Sequence, residues 1–221
     1  MSDPVPPAPA ATIPWEDRDR LGFLNAFVEN AKLFITAPAE AYARTPKQGD
    51  LASPILWVVI VAPMIAVIDS LWSLLFSSVI LRFVPEEFSS FGVSAVASIF
   101  QLAFAVIMAP FFAVIGLFIG AGVIHLCLMA LQALDASEGG FEATVRALAY
   151  ANVASVARLI PGLGLILFIP WALFLTVEGL AQLHGTTRGR ALAAVLIPFV
   201  LCCGCGLFLA IFVGATAASL F

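Results

Sequence analysis

Apolar residues recur at three- and four-residue intervals through Leu21, Leu24, Phe27, Val28, Ala31, Phe34 and Ile35. That spacing is one face of a helix. Asn25, Glu29, Asn30 and Lys32 occupy the other side, so the segment reads as an amphipathic helix lying in the membrane interface. The same stripe would also pack against other helices of the chain, and both placements stay open. Pro38 breaks the helix, and "PAEAYARTPKQGD" supplies a short second turn ending at Pro46 and Gly49. Asp50 or Ser53 can cap the next helix, and Pro54 suits a first turn, where its missing N–H costs nothing.

From there the pattern is of long apolar runs. A first span is predicted over about 53–80, then a polar connection, "RFVPEEFSSFGVSA", at 82–95. Residues 97–131 are too few for two crossings of about 20 residues each plus a turn. They read as one helix, kinked near Pro110 and loosened by Gly116, Gly120 and Gly122. Further spans are predicted over about 165–183 and 191–219.

The segment between these, "EGGFEATVRALAYANVASVARLIPGLG", decides the topology. If it crosses the bilayer at about 142–160 there are five spans, otherwise four. Lys and Arg gather on the cytoplasmic side of membrane proteins. Arg18, Arg20, Lys32, Arg44 and Lys47 make the N-terminal segment the inner anchor, and five spans put Arg188 and Arg190 on that side too. Arg146 then lies near the inner end of the third span and Arg158 near its outer end, where both can snorkel. Glu142 and Arg146 have the four-residue spacing of a helical ion pair. Asn152, near the centre, calls for an interhelical partner. The fold class is all-α: a polytopic five-span bundle over 51–221, preceded by an amphipathic interfacial segment over 15–50.

Composition agrees. The 221 residues are 62% hydrophobic and 11% charged, against about 25% charged in soluble domains. The formal net charge of −4 gives no basic field for nucleic acid. The first fourteen residues are Pro- and Ala-rich without a signal-peptide pattern, so 1–14 is expected as a disordered tail. Cys127 stands alone, and Cys202, Cys203 and Cys205 lack the spacing and histidine support of a zinc site. No metal and no cofactor is expected.

Ionisable residues inside spans are functional candidates, because burying them is costly unless they are paired. Asp69 lies about 24 Å into the first span at ~1.5 Å per residue, level with Arg158. Glu178, Arg146 and His125 fall at similar levels in the inner half. Two intramembrane polar layers follow: an outer one of Asp69 and Arg158, and an inner one of Glu178, Arg146 and His125, with Asn152 between. Such layers serve a proton, an ion or a lipid headgroup, or they simply pin helix order. No nucleophile elbow, phosphate-cradling loop or HExxH is present, so no enzyme is expected.

Several stretches resemble the Yip (Ypt-interacting protein) domain family in its bacterial branch, across about 15–215. They are "PWEDRDRLGFLNAFVENAKLFITAPAEAY", "SPILWVVI", "GGFEATVRALAYANVASVARLIPGLG" and "WALFLTVEGLAQLHGTTRGRALAAVLIPFV". The resemblance implies a five-span domain with a cytoplasmic N-terminus and, in this branch, a place in the bacterial inner membrane. Eukaryotic relatives act in Golgi and endoplasmic-reticulum traffic with Rab-type GTPases. This chain has no long N-terminal cytoplasmic domain, so Rab-type GTPase binding is not carried over. The expected function is a scaffold or adaptor binding membrane lipids, other membrane proteins or a second copy of itself. The alternative is a small transporter, channel or lipid-handling subunit that uses the polar layers.

Overall fold

The computed structural model describes residues 12–80 and 95–218, with side chains over 12–76, 99–201, 203 and 204. All regular structure among them is helical. Three short helices come first: α1 (Arg18–Leu21), α2 (Phe23–Thr36) and α3 (Pro38–Arg44). Pro38 starts α3 rather than extending α2, as its missing N–H dictates. Next come α4 (Ala52–Ile80) and α5 (Ala95–Ala130), which pack on each other more extensively than any other pair. Asp50 accepts the Ala52 N–H at 2.8 Å and so opens α4.

The middle segment is not one α-helix. α6 covers Gly140–Ala151 and passes into a 3₁₀ segment over Asn152–Leu159. Eight residues is long for 3₁₀ geometry. Val153, Ser155 and Val156 are weak helix formers, and Ile160, held extended at φ −84° and ψ 114° before Pro161, stops it. After the turn come α7 (Gly164–His184) and α8 (Arg188–Ala218).

Among the described residues three helices are long and apolar enough to cross a membrane: Ala52–Phe76, Ile99–Ala130 and Gly164–His184. Their outer faces are apolar and exposed, as at Phe104, Phe111, Ile119 and Leu126 on α5, where lipid is the matching solvent. The core sits around α6. Ala143, Val145, Ala147, Ala149, Tyr150 and Ala154 are all fully buried, and small residues let neighbouring backbones come close. The expected single helix over 97–131 is found as α5. The polar connection at 82–95 lies almost wholly outside the described residues.

The N-terminal segment packs on this core. Ile13 and Trp15 are fully buried, so of the tail expected over 1–14 Ile13 packs into the bundle, where an apolar side chain gains more than in water, while 1–11 lie outside the described residues. α2 turns Ala26, Asn30 and Phe34 inward and leaves Phe23, Leu24 and Val28 exposed. α3 lies against α7 where Gly179 leaves room. A Cβ there would come within 2.7 Å of the Tyr42 ring and 3.1 Å of Ala147 Cβ.

A Gly179→Leu substitution is therefore expected to unseat α3, costing about 1–3 kcal/mol and opening Arg44 and Lys47 to trypsin in the detergent-solubilised protein. Gly122→Leu, in open space, is expected to leave cleavage unchanged. Equal cleavage of both variants would contradict this packing.

Candidate functional site

At the end of the bundle that holds the N-terminal segment, Arg146 is the governing group. Its side chain is 1% exposed, so its charge must be met from within the protein. Nη1 donates to Glu16 Oε1 at 3.0 Å and Nη2 to the Asp50 carbonyl at 2.7 Å. One turn on, the Tyr150 hydroxyl donates to the same Glu16 oxygen at 2.7 Å. Beside this clamp, Trp15 donates through Nε1 to the Ser53 carbonyl at 2.8 Å. Arg18 Nη1 reaches the Ser53 hydroxyl at 2.6 Å. Trp15, Phe27, Trp57, Tyr150 and Phe34 form a chain of ring contacts 4.9–6.3 Å apart. Tyr42, against Phe34, donates to the Ala147 carbonyl at 3.1 Å. Burial, and secondarily the Glu178 charge, push its phenol well above the ordinary value, so it remains a donor. Asn30 and Trp57 Nε1 are buried in this region with no hydrogen-bond partner among the described residues.

The ion pair expected between Glu142 and Arg146 does not form. Glu142 instead accepts the Gly49 N–H at 3.0 Å, because the guanidinium has turned inward to Glu16.

The expected inner layer of Glu178, Arg146 and His125 divides into three separate groupings. Glu178, 1% exposed, accepts from Arg188 Nε at 2.7 Å and Nη2 at 3.0 Å and from Gln182 at 3.1 Å. A fork of this kind is the strong form of the pair, and the α7–α8 turn brings Arg188 to it more directly than α6 could bring Arg146. His125 belongs to a third grouping. Its Nδ1 is 2.8 Å from Thr144 Oγ1, which lies 2.9 Å from His184 Nε2, and His184 Nδ1 is 2.7 Å from Ser137 Oγ. The Thr144 hydroxyl can donate to one ring and accept from the other, and Ser137 bonds the far nitrogen of His184, so the four groups form a continuous hydrogen-bonded chain. Thr144, His184 and Ser137 were not among the sequence candidates, nor was Glu16. A signal was present in Thr144, polar on the buried face of α6.

The expected outer pair is found. Arg158 Nη2 is bonded to Asp69 Oδ2, and the guanidinium lies over the Phe168 ring at 5.5 Å. Trp72 donates to the Arg158 carbonyl at 3.0 Å. Asn152 is half-buried, and no side-chain hydrogen bond reaches it among the described residues, so the interhelical partner expected for it is not found. Cys202 and Cys205 lie outside the described side chains.

The family model of the Yip1 domain matches residues 32–211. The chain belongs to the Yip1 domain family. No curated protein matches it, and no solved structure does. The matched range of the Yip1 domain holds Asp69, His125, Arg146, Asn152, Arg158 and Glu178, whereas Trp15 and Glu16, which close over Arg146, precede it.

Removing one partner of a buried ion pair strands the other charge. Arg146→Met is expected to lower stability by about 3–5 kcal/mol, and Tyr150→Phe by about 1.5–3 kcal/mol through the lost bond to a carboxylate. Thermal unfolding of the purified protein in detergent checks both. An Arg146→Met variant as stable as the parent would contradict the clamp.

Proposed function

We propose that this Yip1 domain is a non-enzymatic scaffold or adaptor of the bacterial inner membrane, binding lipids, other membrane proteins or a second copy of itself. The observation that carries the reading is the seating of α2. One side is built into the bundle through Ala26, Asn30 and Phe34, while Phe23, Leu24 and Val28 stay exposed beside the polar line of Asn25, Glu29 and Lys32. A helix so divided holds a fixed apolar edge at the membrane surface, ready for acyl chains or a neighbouring helix.

In this reading the chain crosses the membrane five times, with its N-terminus in the cytoplasm and its C-terminus outside. α6 and the 3₁₀ segment together rise about 34 Å at ~1.5 and ~2.0 Å per residue, enough for a hydrocarbon core of about 30 Å. The N-terminal segment over 15–50 then lies on the inner face.

One observation favours the second reading, a small transporter, channel or lipid-handling subunit: the hydrogen-bonded chain from Ser137 through His184 and Thr144 to His125. Two measurements separate the readings. A photo-crosslinker at Leu24 is expected to give discrete protein or lipid adducts, at higher yield than one at Phe111 in the lipid-facing side of α5. Proteoliposomes are expected to show no proton or solute flux above protein-free vesicles. A saturable flux abolished by Thr144→Val would overturn the scaffold reading in favour of the transporter.

A further inference from the structure

Both members of the Arg158–Asp69 pair remain partly exposed, at 30% and 40% of their side-chain surface, although they sit on helices whose outer faces are apolar; Arg146 and Glu178, by contrast, are each 1% exposed. Among the described residues Arg158 commits only Nη2 to Asp69, and Asp69 commits only Oδ2. Nε and Nη1 of the guanidinium and Oδ1 of the carboxylate are left to whatever lies outside.

The two segments that carry Arg158 and Phe168 also line a groove of about 400 Å³, through Val156, Ala157, Leu167, Pro170 and Trp171. Ala157 directly precedes Arg158, and Leu167 directly precedes Phe168, over which the guanidinium lies. Gly164 keeps the two walls together, since a Cβ there would come within 2.8 Å of the Ala157 carbonyl oxygen. The lining is apolar along its length, a match for a hydrocarbon chain and for nothing charged.

Depth gives the pair its neighbours. Asp69 is about 26 Å along α4 from Ala52, and Phe168 about 24 Å along α7 from His184, at ~1.5 Å per residue. In a core of about 30 Å both lie just beneath the headgroups of the leaflet opposite the N-terminal segment. A phospholipid there presents an acyl chain, a phosphate and a headgroup in that order toward water.

The geometry points to this site as a binding site for one phospholipid with a primary-amine headgroup, phosphatidylethanolamine. Its acyl chain lies in the groove, its phosphate accepts from the free N–H groups of Arg158, and its ammonium donates to Asp69. The charges of the ligand and of the pair are complementary, plus to minus at both ends. A choline headgroup carries no N–H to donate to the carboxylate, and a glycerol headgroup can offer hydroxyls but no positive charge to Asp69. The proposal deepens the lipid-binding part of the scaffold reading and rests on the chain being a membrane-spanning bundle.

Native mass spectrometry of the full chain, delipidated and titrated with phosphatidylethanolamine, phosphatidylcholine or phosphatidylglycerol in turn, tests it. The parent is expected to retain one phosphatidylethanolamine about tenfold more tightly than either other lipid, the size of one charge-assisted bond. Asp69→Asn is expected to erase the preference over phosphatidylcholine while binding persists. Arg158→Gln is expected to weaken retention of all three. Ala157→Phe, which fills the groove and leaves the ion pair in place, is expected to abolish retention; it keeps the test decisive if Arg158→Gln does not fold. Equal retention of the three lipids by the parent, or an unchanged preference in Asp69→Asn, would overturn the proposal. Crosslinking at Leu24 is independent of this groove. Its persistence alongside a lost lipid preference would leave the scaffold reading standing, and its loss alongside a retained preference would remove the scaffold reading alone.

Discussion

A buried guanidinium at one end of the helical bundle sets the terms for everything packed around it. Arg146 is almost wholly withdrawn from solvent, and an isolated charge in such surroundings is costly. Its own helix supplies neither of its acceptors. Glu16 comes from the segment ahead of α1, and the Asp50 carbonyl from the loop ahead of α4. Satisfying one side chain therefore fixes where two separate parts of the chain must lie. Trp15, Tyr150 and the ring contacts between them fill the space that results, and α2 and α3 follow because they are joined to that anchor by a few residues.

The polar groups of the bundle then divide by depth. Those of the inner half are closed networks in which nearly every acceptor is taken: Glu178 by Arg188 and Gln182, His184 by Ser137 and Thr144. Their buried and bonded state suits holding α5, α6, α7 and α8 in register. The pair at the other end, Asp69 and Arg158, is left partly exposed. The end that carries the N-terminal segment is therefore the more densely cross-bonded of the two, with Arg146 and Glu178 each 1% exposed.

Much of the helix order was legible from the sequence. Proline and periodicity placed the break at Pro38 and the single long helix α5, and of the two caps left open, Asp50 and Ser53, it is Asp50 that accepts the first N–H of α4. Depth was enough to match Asp69 with Arg158, because Asp69 stands at ~1.5 Å intervals from the start of α4 and Arg158 lies just ahead of the turn at Pro161 that ends its own segment. What was not legible depends on side chains reaching across the fold. Glu16 sits in "WEDRDR", where it looks like any solvated charge, and nothing local says that Arg146 is its partner. Glu178 prefers Arg188 because a tight turn folds α8 back beside it, a geometry that depth alone does not contain. The change from α to 3₁₀ at Asn152 turns on several weak helix formers ahead of Pro161, each unremarkable alone.

Hydrogen exchange of the full chain in lipid nanodiscs tests the anchoring role of Arg146 most directly. Amides over 23–44 are expected to be protected in the parent on the timescale of those in α6, and to lose that protection together in Arg146→Met while α4 and α5 keep theirs. Rapid exchange over 23–44 in the parent, or unchanged protection there in Arg146→Met, would show that the N-terminal segment is held by something other than this buried charge.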